Sequence, residues 1–114
     1  MRLRDYLTVP YKLEAETIEV SPGYWCTRVS YPELQGCIAE ASIVEDALQQ
    51  LERLRIEMIV TMCLAGQSPP VPRPPLQDCD PIWVAKAAGL PNDLIALIDA
   101  DGPAAAGHTI PYSR

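Results

Sequence analysis

Few side chains in this sequence could do chemistry. Cys26, Cys37, Cys63 and Cys79 have 10, 25 and 15 residues between them, with no Cys-x-x-Cys pair, and the single histidine is His108. That spacing gives no support for a zinc site. With His108 in an expected tail, no Cys or Ser has a base to activate it, so nucleophilic catalysis is not expected. No Gly-x-Gly or P-loop run announces a nucleotide. Glu14 and Glu16 share one face of a strand and could offer two oxygens to a divalent ion, but the same spacing describes a solvated strand face. Trp25 and Tyr24 could stack on a ligand; in a strand at this spacing they read as core. The expectation is a protein with no catalytic residues, no metal and no cofactor.

The elements that position these groups centre on residues 23–66. A strand from Tyr24 to Tyr31 places Trp25, Thr27, Val29 and Tyr31 on one face. A turn through Pro32-Glu33-Leu34-Gln35-Gly36 leads to the short apolar strand Cys37-Ile38-Ala39. Upstream, Tyr11, Leu13 and Ala15 alternate with charged residues as a half-buried strand. The apolar parity changes at Ile18 and Val20, so a bulge is expected near Thr17. Ser21-Pro22-Gly23 supplies the hairpin turn. Leu3, Tyr6, Leu7 and Val9 make one helical turn that Pro10 ends.

The longest helical pattern runs from Ser42 to Ala65, with Ser42 and Glu45 at capping-box spacing and Gly66 as the C-cap glycine. Val44, Ala47, Leu48, Leu51, Leu54, Met58, Met62 and Ala65 form its apolar stripe. Ile56, Ile59, Val60 and Cys63 lie off that stripe, so the second half is apolar nearly all round and must be covered by the C-terminal region, a second subunit, or both. Five prolines between Pro69 and Pro75 rule out a central strand, leaving Pro70-Val71-Pro72 as a short edge strand. Asp80-Pro81 opens a helix that ends at Gly89. A second short helix spans 92–99, and 102–114 reads as an extended tail.

The totals limit the partners. The chain has 114 residues and a net charge of −6, with no local basic patch to meet a phosphate backbone. No apolar run approaches the ~18 residues of a membrane span, and the N-terminus lacks a signal-peptide core. The cysteines read as reduced, buried small hydrophobes of a cytoplasmic protein.

Several residues, taken in order, resemble the HicB-like family of antitoxin domains. They are Tyr11, Gly23-Tyr24-Trp25, the run from Pro32 to Ile38, Glu45-Asp46-Ala47-Leu48, and Gly66 followed by Pro69-Pro70-Val71-Pro72. The resemblance covers about residues 6–72. It implies an α+β fold: a three-stranded antiparallel sheet with one long helix across it and a short fourth strand, a truncated ribonuclease-H-like arrangement. Residues 1–72 would form this domain, 73–80 a Pro-rich linker and 81–114 a helical appendage and tail. The family binds and blocks small basic mRNA-cleaving toxins, and its members associate into dimers or larger oligomers.

Tyr31, Pro32, Glu33, Leu34 and Gly36 are then the expected partner contacts, and Ile56, Ile59, Val60 and Cys63 the expected oligomer interface. The C-terminal region departs from the family's basic DNA-binding appendages. Residues 73–114 carry a net charge of −2, and 92–99 has no Arg, Lys or Gln to read a base. DNA binding is not expected. The alternatives are an orphan oligomeric protein without a toxin and a repressor acting through the C-terminal helices.

Overall fold

Hydrogen bonding and burial divide the chain into a sheet, one long helix across it, and three short helices around that helix's C-terminal half. The computed structural model describes residues 1–77 and 80–101. In chain order the elements are α1 (Leu3–Leu7), β1 (Glu14–Ser21), β2 (Tyr24–Ser30), β3 (Ile38–Ala41), α2 (Val44–Leu64), α3 (Pro81–Ala87) and α4 (Asn92–Asp101). The fold is α+β. Cys79 and residues 102–114, with His108, lie outside the described residues.

The sheet is antiparallel in the order β1-β2-β3. Ala15 pairs with Val29 and Thr17 with Thr27, while Val29 also pairs with Ala39 and Thr27 with Ala41. Paired residues share a face, so this register defines an inner face of Ala15, Thr17, Thr27, Val29, Ala39 and Ala41. Val29 is fully buried on that face beneath α2, which packs over β2 and β3. The outer face carries Glu14, Glu16, Ile18, Cys26, Arg28, Ser30, Ile38 and Glu40.

Two details of β1 differ from the sequence expectation. The register shift lies between Glu19 and Ser21, at Val20, and Thr17 pairs regularly. Ile18 is apolar out of parity because it is on the outer face opposite Cys26, so no slip is needed to explain it. Nor is β1 half-buried: of its eight residues only Ile18 is partly covered, because α2 lies over the other two strands. For the same reason Tyr24 and Trp25 are exposed, Trp25 at 57%, and do not join the core.

Helix α2 begins one residue later than the capping box requires. Its N-cap is Ile43, in extended conformation and with no side-chain cap. Ser42 therefore precedes the N-cap, and Glu45 and Asp46 serve the first turn through their charge. The C-terminus closes as expected. Gly66 takes φ +79°, Gly66 N–H donates to the Cys63 carbonyl, and Gln67 N–H donates to that of Met62 at 2.8 Å. This is a Schellman motif. Helix α3 repeats it at Gly89, after the expected start in which the Asp80 side chain accepts from Ile82 N–H ahead of Pro81.

Residues 70–72 form no strand; prolines lack the ladder donor, and the sheet ends at three strands among the described residues. The Pro-rich segment lies against the body. Pro70 accepts a 2.7 Å bond from the Tyr11 hydroxyl, and Leu76 N–H donates to Thr8 at 2.8 Å. Arg73 grips the Glu33 carboxylate through two bonds of 2.7 and 3.0 Å.

Candidate interaction surface

Burial along one row of α2 separates a finished from an unfinished part of the molecule. Val44, Leu48, Glu52, Ile56 and Val60 follow one another at four-residue intervals, a row that turns ~40° about the helix at each step and so winds from one side of α2 to nearly the opposite one. Ile56 and Val60 are 1% and 2% exposed, whereas Val44 and Leu48 are 41% and 36% exposed. The buried end is covered from within the chain. Helix α1 packs on α2, α4 on α1 and α3 on α4. Ile56, Ile59 and Val60 thereby share one cluster with Leu7, Val9, Ala85, Ala88, Leu90 and Ile98, and Cys63 packs against its edge. Of the four residues expected to meet a second subunit, Ile56, Ile59 and Val60 are thus buried within the single chain, and Cys63 is half-buried.

At the middle of the row a polar cluster marks the boundary. Arg55 is buried and donates to both oxygens of Glu52, at 2.8 and 3.0 Å, and to the Leu7 carbonyl at 2.8 Å. The Tyr31 hydroxyl donates to Glu52 at 2.5 Å, and the Tyr31 ring lies 6.0 Å from that of Tyr11. Burial pushes the Glu52 carboxyl up, but the bonds and charge of Arg55 and the Tyr31 hydroxyl outweigh it and hold the pKa low. Burial, then the bond to Glu52, raises Tyr31 above the usual phenol range. Burial pushes the Cys37 thiol up to about 11. The cluster ties α1, α2 and the end of β2 together. Arg55 also satisfies a carbonyl at the C-terminus of α1 that has no partner within the helix.

Sequence reading passed over this cluster, treating Arg55 as one charge among flanking glutamates. The available signal was its position: Arg55 falls between Leu51 and Ile59 at four-residue spacing, on the buried face, with Glu52 one turn before it.

The residues expected to contact a partner have mixed placements. Leu34 is 2% exposed and anchors the turn from below. Leu34 N–H donates to the Tyr31 carbonyl and Cys37 N–H to that of Leu34, with Gly36 at φ +88°. Glu33 is held by Arg73 and by Lys12 N–H, whose bonds draw its pKa down. Pro32 and Gly36 are exposed, and Tyr31 is committed to Glu52.

Glu14 and Glu16 stand on the outer face. Glu14 is 3.6 Å from Lys12, and Glu16 is 3.6 Å from Arg28, which also meets Glu40 at 2.7 Å. Among the described residues no group of three or more His, Cys, Asp or Glu side chains gathers as a metal would need. None of the described helices is long and apolar enough to cross a membrane.

What remains open is surface on the sheet and on α2. The inner face of β1, with Ala15 and Thr17, is bare, and Leu13 continues its parity just before the strand. Trp25 is exposed on the same face of β2, and Val44 and Leu48 are exposed on α2. The molecule is therefore an α+β protein, one helix across a three-stranded antiparallel sheet, with half of the sheet's inner face uncovered. No known family, characterised protein or solved structure matches the chain.

Proposed function

We propose that this chain is a protein-binding module of the HicB-like kind, which neutralises a small basic mRNA-cleaving toxin by direct contact. Exposed apolar side chains on an acidic chain support this reading: Trp25 stands on the uncovered inner face of the sheet, Leu13 is exposed just before β1, Val44 and Leu48 are exposed on α2, and the net charge is −6. Such a surface suits a partner that offers apolar area and basic charge. The order and spacing of the turn and helix motifs add the family resemblance, and the three-stranded sheet with a helix across it fits the architecture that the resemblance implies.

Homo-oligomerisation belongs to the same proposal; the chain buries Ile56, Ile59 and Val60 itself and leaves Cys63 half-buried. A cytoplasmic location follows from a cytoplasmic toxin target. The test is co-expression with the protein encoded by the adjacent reading frame. A short basic protein that arrests growth alone, and is rescued and co-purified by this chain, is the expected result. Failure of both rescue and complex formation overturns the reading.

A further inference from the structure

We infer that the open edge of β1 is a docking site for an extended segment of a partner protein, which adds to the sheet as a further strand and sets a lysine or arginine opposite Glu16. The inference rests on the protein-binding reading above and names the element that binds and the place it takes. Ladder geometry fixes which backbone groups are free. Tyr31 N–H donates to the Cys37 carbonyl, so Tyr31, Val29 and Thr27 turn their backbone bonds toward β3, and Ser30, Arg28 and Cys26 turn theirs toward β1. In the β1–β2 register these last three pair with Glu14, Glu16 and Ile18. Ala15 and Thr17 therefore point N–H and C=O away from the sheet, as Glu19 does its N–H. These residues are exposed, and β1 has a strand on one side alone, β2.

Native sheets blunt an exposed edge with proline, lysine, a bulge or a very short strand. Strand β1 is eight residues long and holds no proline or lysine, and its bulge lies at Val20, beyond the free groups. At the other side of the sheet β3 has four residues and turns Ile38 and Glu40 outward. The longer edge is thus the open one, and charge selects what pairs with it. Glu40, Arg28 and Glu16 stand opposite one another across β3, β2 and β1 on the outer face, so the row runs negative, positive, negative. Arg28 is 2.7 Å from Glu40 and 3.6 Å from Glu16, and Glu16 is the member at the open edge. A cation on the next strand continues the alternation and gives Glu16 a second partner, since opposite charges facing each other stabilise a strand pair. A second copy of β1 fits less well, because each copy brings Glu14, Glu16 and Glu19 to the shared pair of strands.

The test uses the full chain and two synthetic peptides of about seven residues, one alternating threonine with lysine and the other threonine with glutamate. In the free protein the amides of Ala15, Thr17 and Glu19 should exchange quickly and those of Glu16 and Ile18 slowly. In an NMR titration at ~0.15 M salt the lysine peptide should bind saturably, with the glutamate peptide at least ~10-fold weaker. Binding should move the Ala15 and Thr17 amide resonances and slow their exchange. Thr17→Pro removes an outward donor and leaves the β1–β2 ladder intact, so it should weaken binding ~10-fold or more with unchanged circular dichroism. Glu16→Lys, which makes no demand on the backbone, should reverse the preference between the peptides. Glu57→Lys makes the same charge change on α2 and should leave both affinities unchanged.

Equal or absent binding of the two peptides, slow exchange at Ala15 and Thr17 in the free protein, or a preference that Glu16→Lys leaves unreversed overturns the inference. So does a wild-type dimer in sedimentation that Thr17→Pro converts to monomer, because the edge would then belong to a second copy. A natural partner complex that survives both Thr17→Pro and Glu16→Lys overturns the edge and leaves the protein-binding reading intact. Failure to form any complex with the adjacent gene's product overturns that reading, and the peptide titration still decides the edge.

Discussion

Replacing Arg55 with methionine tests whether the buried Glu52–Arg55 pair holds α1 in place. Methionine fills similar volume without charge, so the perturbation isolates the ion pair. Removing one partner of a buried pair costs about 3–5 kcal/mol, because the other charge is left without compensation. Here the Glu52 side chain keeps 32% of its exposure, so water reaches the stranded carboxylate and lowers that part to about 2 kcal/mol. The Leu7 carbonyl also loses its donor, which adds about 1 kcal/mol. The expected loss is about 3 kcal/mol. It is measured as a lower urea midpoint at unchanged slope, with melting lowered by roughly 4–8 °C for each kcal/mol.

The pH dependence makes the test sharper. In the native protein the Glu52 pKa is held low, so its contribution is present above the ordinary carboxylate range and is lost as pH falls through the folded value. In Arg55→Met only burial and the Tyr31 hydroxyl act on Glu52, and with burial the largest influence the carboxyl moves upward. The stability difference between the two proteins should therefore be largest at neutral pH and shrink toward about pH 4. Adding Glu52→Gln to Arg55→Met should recover part of the loss, since no stranded charge remains. A loss under about 1 kcal/mol, or one that does not change with pH, would refute the assignment.

Three further outcomes are expected. Gly36→Ala forces a side chain onto a backbone at φ +88° and should cost about 1–2 kcal/mol in chemical denaturation; a neutral or stabilising result would mean that the turn relaxes. Under native conditions near pH 8, iodoacetamide should label Cys26 well before Cys37, whose thiol is buried and raised to about 11. Peptide mapping by mass spectrometry reads the order, and equal labelling would contradict the buried placement. Arg73→Ala removes the two-bond grip on Glu33 and should speed amide hydrogen exchange at Leu76, whose N–H donates to Thr8, while amides within β2 keep their rates.

Local chemistry in the sequence carried much of the fold. Gly66 and Gly89 closed their helices where the apolar pattern stops, and Asp80-Pro81 opened a helix, because these signals act over one turn of chain. The Ser42 cap failed because Ile43, two residues past the end of β3, is still extended (φ −107°, ψ 131°), which moves the helix start past the serine. The parity change at Ile18 was legible, but its meaning was not. Two-residue alternation does not tell a bulge from an apolar residue on the outer face, and only pairing with Cys26 decides it. Trp25 was read as core because aromatic strand residues usually are; its exposure depends on how far α2 reaches across the sheet, which no local pattern encodes.

The same limitation explains why the over-apolar end of α2 was recognised while the exposure of Val44 and Leu48 was missed. An apolar residue off the main stripe signals that a cover is needed, so Ile56, Ile59 and Val60 were conspicuous. Val44 and Leu48 sit within the stripe and looked already satisfied. Yet Val44 and Leu48 lie in the N-terminal half of α2, beyond the helices that bury Ile56 and Val60, and stay 41% and 36% exposed. Glu52 is the polar residue at the changeover, and Arg55 neutralises it while fixing the end of α1. Loosening that pair by Arg55→Met should therefore release the end of α1, and amide hydrogen exchange in α1 should quicken while β2 keeps its rates. Equal protection of α1 in the two proteins would mean that Glu52 marks a boundary of burial only.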